Sequence, residues 1–146
     1  MKLIADDIFE SMKEEFDQQL SILHELPQAD RLRFIVRFHI GYHARHPELS
    51  LLMSQEATHD TWRIKYLIAK HIRPSAEAMQ NLANQTLQLN QQDFILWYYI
   101  MISASSTVFP FAPECQQLFN IDPTTDDFVE GHAAMLTTML FGQRSS

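Results

Sequence analysis

Apolar residues recur every three or four positions along most of the chain, which is the spacing of amphipathic α-helices. The first segment, residues 3–25, shows this spacing in six apolar residues: Ile8, Phe9, Met12, Phe16, Leu20 and Leu23. Acidic residues fill its early turns, where the helix dipole favours negative charge. The pattern predicts one amphipathic helix that ends before Pro27.

The same spacing predicts further helices, separated mainly by prolines. Their expected ranges are Ala29–Arg45, Pro47–Ala57, Asp60–Leu89, Gln91–Val108 and Glu114–Phe119, followed by a last helix that ends at Gly142. Pro74 should kink or split the fourth of these helices. Asn90 is expected to cap the helix at Gln91, and Asp122 the last helix, with Pro123 at its first position. The sequence thus predicts an all-α bundle of six to seven helices.

The fifth and last long helices carry more apolar surface than one small core can take. No charged residue occurs in Phe94–Pro113 or Gly131–Phe141. Only one helix can be central in so small a bundle, so we expect these two to pack against a second copy. The predicted interface residues are Phe128, His132, Met135, Leu136 and Met139.

Composition limits the possible functions. A length of 146 residues fits a single domain, 1–146, and the net charge of −7 disfavours binding to nucleic acid by this chain alone. The single cysteine, Cys115, excludes an internal disulfide framework. No signal peptide is recognisable, and the apolar part of Phe94–Pro113 is too short for a membrane helix. We expect a cytoplasmic protein without membrane contact.

Four segments of the chain resemble parts of a known protein family. The run "YHARHPELSLLMSQE" from Tyr42 to Glu56 resembles the start of the third helix in the ligand domain of tetracycline-repressor (TetR) family regulators. "YLIAKHIRPSAEAM" resembles the long helix with an internal proline, and "FAPECQQLFNIDPTTDDFVEGHAAMLTTMLFG" resembles the closing segment. The opening "KLIADDIFESM" is similar to the linker helix that follows the DNA-binding region.

This resemblance implies an effector-binding and dimerisation domain that forms a homodimer. In the family a small molecule enters a pocket between the middle helices. The linker helix transmits the resulting structural change to the DNA-binding domains. The family's N-terminal helix-turn-helix is absent from these 146 residues. We expect either an excised effector domain or a shortened natural protein.

Large aromatic and methionine side chains are numerous for one small domain. We expect some of them to line an apolar pocket for a small hydrophobic or aromatic effector, with His39 and His43 as polar groups. The predicted lining comprises Phe38, His39, Tyr42, His43, Trp62, Tyr66, Trp97, Tyr98 and Met101. The alternative is that these side chains are simply core.

Catalysis and metal binding have weaker support in the sequence. His39 and His43 have the i, i+4 spacing of two metal ligands on a helix, but the HExxH motif is not present. No nucleophile elbow or paired carboxylates stand out, so we predict no enzyme activity, no cofactor and no metal. One alternative is a stand-alone His-rich metal-binding protein or small enzyme. Another is an interaction module that lacks a DNA-binding domain and only binds partners.

Overall fold

The computed structural model describes residues 2–142, which form nine α-helices and no strand. The helices are α1 Ile4–Asp17, α2 Leu20–Glu25, α3 Gln28–Arg45, α4 Pro47–Glu56, α5 Trp62–Leu67, α6 Arg73–Leu87, α7 Gln91–Ser106, α8 Ala112–Phe119 and α9 Asp126–Phe141. One wide turn of π-helix, Ile68–Ile72, joins α5 to α6 without a break. The predicted all-α class is confirmed.

Helix α3 lies at the centre of the bundle. It packs against α2, α4, α6, α7 and α9. Its residues Leu32, Val36 and Ile40 have no exposed surface. The apolar face of α3 is therefore the middle of the core.

Two apolar clusters lie on different sides of α3. The larger one combines α3 with side chains of α6, α7 and α9, among them Met79, Ala83, Met101 and Leu136. The smaller one joins Phe38, Tyr42 and Leu49 to the apolar side of α1. Helix α1 is therefore held by a separate, smaller core.

The first predicted helix is wrong in one respect, because residues 3–25 form two helices. The chain turns at Gln18 and Gln19, where the Gln19 N–H bonds the Phe16 carbonyl oxygen three residues back. Helix α1 then packs against α4, whereas α2 packs against α3. The apolar spacing runs across the turn because Phe16 and Leu23 both face the interior.

The predicted cap of the last helix is also wrong. Thr125 caps α9 by accepting a hydrogen bond from the Phe128 N–H at 3.3 Å. Asp122 instead accepts bonds from the N–H and hydroxyl of Thr124, which is a local turn that competes with capping. The other expected cap is confirmed, since Asn90 accepts the Asp93 N–H at 2.8 Å.

Pro74 distorts its helix one turn earlier than its own position. Proline has no N–H, and its ring would clash with the carbonyl group of Lys70 in a regular α-helix. The wide turn Ile68–Ile72 relieves this clash, with the Arg73 N–H bonding the Ile68 carbonyl oxygen five residues back. The chain therefore continues as one long distorted helix from Trp62 to Leu87.

No helix within residues 2–142 combines the length and the apolar character needed to cross a bilayer.

Candidate functional site

A buried carboxylate joins α1 to the wide turn. Asp6 has no exposed surface. Its Oδ1 accepts a hydrogen bond from His71 Nε2 at 2.6 Å and lies 3.4 Å from Lys70 Nζ. Its Oδ2 accepts bonds from the Tyr66 hydroxyl at 2.9 Å and the Leu3 N–H at 2.7 Å. We call Asp6, Tyr66, Lys70 and His71 the Asp6 cluster.

Local structure places each member of this cluster. The bond from Leu3 fixes the carboxylate of Asp6 in the first turn of α1, where the helix dipole also favours negative charge. Phe9, one turn further along, stacks on the His71 ring with centroids 4.9 Å apart. The cluster is therefore held by both polar and aromatic contacts between α1 and the wide turn.

Hydrogen bonding decides the charge of Asp6. Burial alone would raise the pKa of this carboxyl group, because it penalises the charged form. Hydrogen bonds from His71, the Leu3 N–H, Tyr66 and Lys70 outweigh burial and hold the pKa of Asp6 well below its usual range. Asp6 is thus a buried anion at every physiological pH.

The same four donors limit what Asp6 can do chemically. A carboxylate has about four acceptor positions, and the four donors of this site occupy them. A carboxylate that is buried and saturated in this way is a poor general base, which must reach a substrate proton. The arrangement suits a structural contact between α1 and the wide turn rather than catalysis.

The histidine pair, His39 and His43, is a second buried polar region. Both side chains are buried on α3, with ring centroids 6.1 Å apart. The Nδ1 atom of each ring has no hydrogen-bond partner within residues 2–142. Burial lowers the pKa of His39 to about 4, and burial with the nearby His39 and His46 does the same for His43. Both rings are neutral at pH 7.

The residues predicted to line one pocket lie in several places. Trp97 and Met101 belong to the larger core cluster, with Tyr98 packed against it. Phe38 and Tyr42 form the smaller cluster with Leu49. Of the remaining aromatic members, Tyr66 is in the Asp6 cluster and Trp62 is 53% exposed. A shared ligand for these residues stays a prediction.

A groove of about 160 Å³ lies where α1 meets α3 and α4. It shares only Tyr42 with the predicted pocket, and the Tyr42 hydroxyl is already bonded to the Ile8 carbonyl oxygen at 2.9 Å. The other lining residues are Asp7, Ile8, Ser11, His46 and Glu48. The groove is therefore more polar than the apolar site that we predicted.

An exposed apolar face runs along α7 and α9. The two helices pack in antiparallel directions, since His132 donates to the Ala104 carbonyl oxygen at 2.7 Å and Phe141 lies against Trp97. Helical spacing places Leu96 and Ile100 on the flank of α7 that carries Ala104, and it places Met135 and Met139 on the flank of α9 that carries His132. All four apolar side chains, Leu96, Ile100, Met135 and Met139, are exposed. We call these four residues the α7/α9 face.

The residues of the predicted dimer interface have different surroundings. Met135 and Met139 are 67% and 74% exposed, whereas Leu136 is buried in the core of its own chain. Phe128 and His132 are half-buried. The bond from His132 to Ala104 lies within the chain, so this histidine links α9 to α7.

Sequence reasoning missed the Asp6 cluster. Asp6 was explained by its place in the first turn of a helix, which is a sufficient local reason for an acidic residue there. Its partners Tyr66, Lys70 and His71 lie at least sixty positions away. The sequence offered one signal, Pro74, which is expected to distort its helix. Distorted turns of the π-helical type are frequent at functional sites.

The metal-binding alternative needs a third ligand beside His39 and His43. Within residues 2–142, no three His, Cys, Asp or Glu side chains lie close enough together to hold a metal ion.

Comparison of the chain with models of protein families, with curated proteins and with solved structures found no match.

Proposed function

We propose that this chain is the ligand-sensing and dimerisation domain of a TetR-like transcriptional regulator. A small hydrophobic or aromatic effector would control DNA binding by a domain outside this sequence. The observation that carries the proposal is the exposed α7/α9 face, together with the resemblance in segments such as Tyr42–Glu56. The all-helical bundle agrees with this function.

The α7/α9 face suits a second copy of the same chain. Residues 94–106 of α7 and 131–141 of α9 carry no charged side chain, so these segments of two copies can meet about a two-fold axis without placing like charges together. Fully burying a side chain such as leucine or methionine stabilises by roughly 1.5–3 kcal/mol. Two antiparallel helices from each chain would form a four-helix interface, a stable and common arrangement.

Unpaired polar atoms in the interior support the ligand-sensing part of the proposal. His39 Nδ1, His43 Nδ1 and Trp97 Nε1 are buried and lack hydrogen-bond partners within residues 2–142. An unsatisfied buried polar group costs about 1–3 kcal/mol, which a ligand with a hydroxyl or carbonyl group could recover. Apolar walls with a few polar atoms are typical of small-molecule sites.

Light scattering at micromolar concentration tests dimerisation. The wild-type protein should have about twice the mass of one chain, 17.0 kDa. Met139→Lys should give a soluble, helical monomer, because this side chain is 74% exposed within one chain and a charge there disturbs only the interface. Leu51→Lys on α4, also at an exposed apolar residue, is the matched control and should remain a dimer.

A wild-type mass of 17.0 kDa would contradict the dimer. A Met139→Lys variant that still dimerises would contradict the α7/α9 face as its interface.

Ligand sensing is tested with a panel of aromatic compounds that carry a hydroxyl group. A compound that binds should raise the melting temperature, and His43→Leu should reduce that rise. A panel in which no compound raises it contradicts the ligand-sensing part.

A further inference from the structure

The Asp6 cluster depends on the wide turn Ile68–Ile72. Tyr66 and His71 are five residues apart, and both donate to Asp6. In an α-helix with about 3.6 residues per turn, two side chains at this separation point about 140° apart. The π-helical hydrogen bonding between them adds a residue to the turn and brings both side chains to the same side.

Pro74 disturbs the regular α-helix without fixing the form or the place of the distortion. Proline removes one backbone donor and clashes with the carbonyl four residues earlier, and a kink or a widened turn upstream can accommodate it. The present position, Ile68–Ile72, is the one that lets Tyr66 and His71 meet at Asp6. The Asp6 cluster therefore selects this position of the turn.

We infer that the Asp6 cluster and the wide turn form one two-state contact, which docks the first turn of α1 only while the wide turn lies between Tyr66 and His71. If the turn moves out of this interval, the two side chains diverge and Asp6 loses a donor. A buried carboxylate without its partners is strongly unfavourable, so Asp6 must leave the interior and take the start of α1 with it. The change is therefore a switch between two arrangements.

Only the first turn of α1 is expected to move. The rest of the helix is held independently, because Tyr42 donates a hydrogen bond to the Ile8 carbonyl oxygen at 2.9 Å and the smaller core cluster packs against the apolar side of α1. Phe16 also packs edge-on against Phe38, with ring centroids 5.1 Å apart. The first turn depends on the Asp6 cluster. Released residues would therefore be about 4–7, with residues 8–17 still docked.

This inference does not rest on the proposed function. It concerns the docking of α1 alone, and it holds for a monomer or a dimer and with or without a ligand. Failure of the dimer test leaves it intact, and failure of the test below leaves the dimer intact.

Amide hydrogen exchange on the full chain tests this contact with two reciprocal variants. Pro74→Ala restores the backbone donor and allows a regular α-helix, although Pro74 is exposed. The amides of residues 8–11, which bond to the carbonyl groups of residues 4–7 in α1, should therefore exchange about tenfold faster or more. Asp6→Asn weakens the cluster, so the amides of residues 68–73 should exchange faster by a similar factor. Pro113→Ala is the control for a proline-to-alanine change away from the wide turn, since Pro113 lies at the start of α8.

The expected result is reciprocal change with no effect of Pro113→Ala on residues 8–11. Unchanged exchange of residues 8–11 in Pro74→Ala overturns the inference, because the wide turn and the docking of the first turn of α1 would then be independent. Equal acceleration by Pro113→Ala overturns it as well, because the effect would not be specific to the wide turn. If Asp6→Asn does not fold, the comparison of Pro74→Ala with Pro113→Ala decides alone.

Discussion

The Asp6 cluster and the histidine pair are both buried, yet they carry opposite charge states. Burial opposes charge at both sites. At Asp6 four donors overcome burial and the group is ionised, whereas His39 and His43 lack partners at Nδ1 and are neutral. The comparison shows that hydrogen-bond partners, rather than depth, decide the charge of a buried group in this protein.

The two regions also differ in what they connect. Asp6 bonds to residues from another part of the bundle, so the cluster joins α1 to the wide turn. The two histidines are one turn apart on α3 and join nothing through their Nδ1 atoms. Changes at the first site should therefore disturb the fold, and changes at the second should not.

The largest expected effect is that of His71→Leu in the Asp6 cluster, which is compared with His43→Leu in the histidine pair. His71→Leu leaves the buried Asp6 Oδ1 without its closest donor, so the melting temperature should fall by more than about 5 °C. His43→Leu removes an unpaired buried nitrogen and should change it by less than about 3 °C or raise it. Thermal unfolding followed by circular dichroism measures both. Equal losses in the two variants would show that the contrast in hydrogen bonding has no energetic consequence.

A smaller effect is expected from pH. The folded pKa values of about 4 for His39 and His43 lie below the unfolded value of about 6.5, so the unfolded chain binds protons first. The free energy of unfolding should therefore fall by about 1 kcal/mol for each histidine between pH 7 and pH 5.5. Denaturant unfolding at the two pH values measures this loss.

A double variant, His39→Leu with His43→Leu, is the control for this pH dependence and should remove most of it. Asp6 behaves differently, because its folded pKa lies below the unfolded value of about 4. Its stabilising contribution is complete above that value and is lost only in stronger acid. A pH dependence that is unchanged in the double variant would mean that other groups cause it.

The smallest effect is expected at Lys70. Its Nζ lies 3.4 Å from Asp6 Oδ1, and its side chain is 45% exposed, so water replaces much of what the ion pair supplies. Lys70→Met should lower the melting temperature by less than about 3 °C, measured in the same unfolding experiment. A loss as large as that of His71→Leu would instead make the ion pair, rather than the buried hydrogen bonds, the main support of Asp6.

The spacing of apolar residues in the sequence predicted the buried face of α3, the central helix of the fold. The expected face of the second predicted helix, Ala29–Arg45, comprised Leu32, Ile35, Val36, His39, Ile40 and His43, and all six side chains are buried on α3. Apolar periodicity identifies such a face because the core selects it directly. The excess apolar surface expected on the two uncharged helices is likewise present, as the exposed α7/α9 face.

The helical spacing of residues could not predict how deeply each side chain is buried or which distant group it contacts. Trp62 has helical spacing with Tyr66, yet it is half-exposed while Tyr66 bonds to Asp6. Asp122 and Thr125 are both good capping residues, and the choice between them depends on a hydrogen bond to Thr124. These outcomes depend on contacts that periodicity does not contain.

The central position of α3 has a consequence for synthesis on the ribosome. Residues 28–45 are made before their partners in α7 and α9, which span residues 91–106 and 126–141. Helical structure can form in α3 as it emerges, whereas the part of its apolar face that packs against α7 and α9 stays uncovered until residue 141 has left the ribosome. The nascent protein is therefore expected to bind chaperones that recognise apolar segments until α9 has emerged.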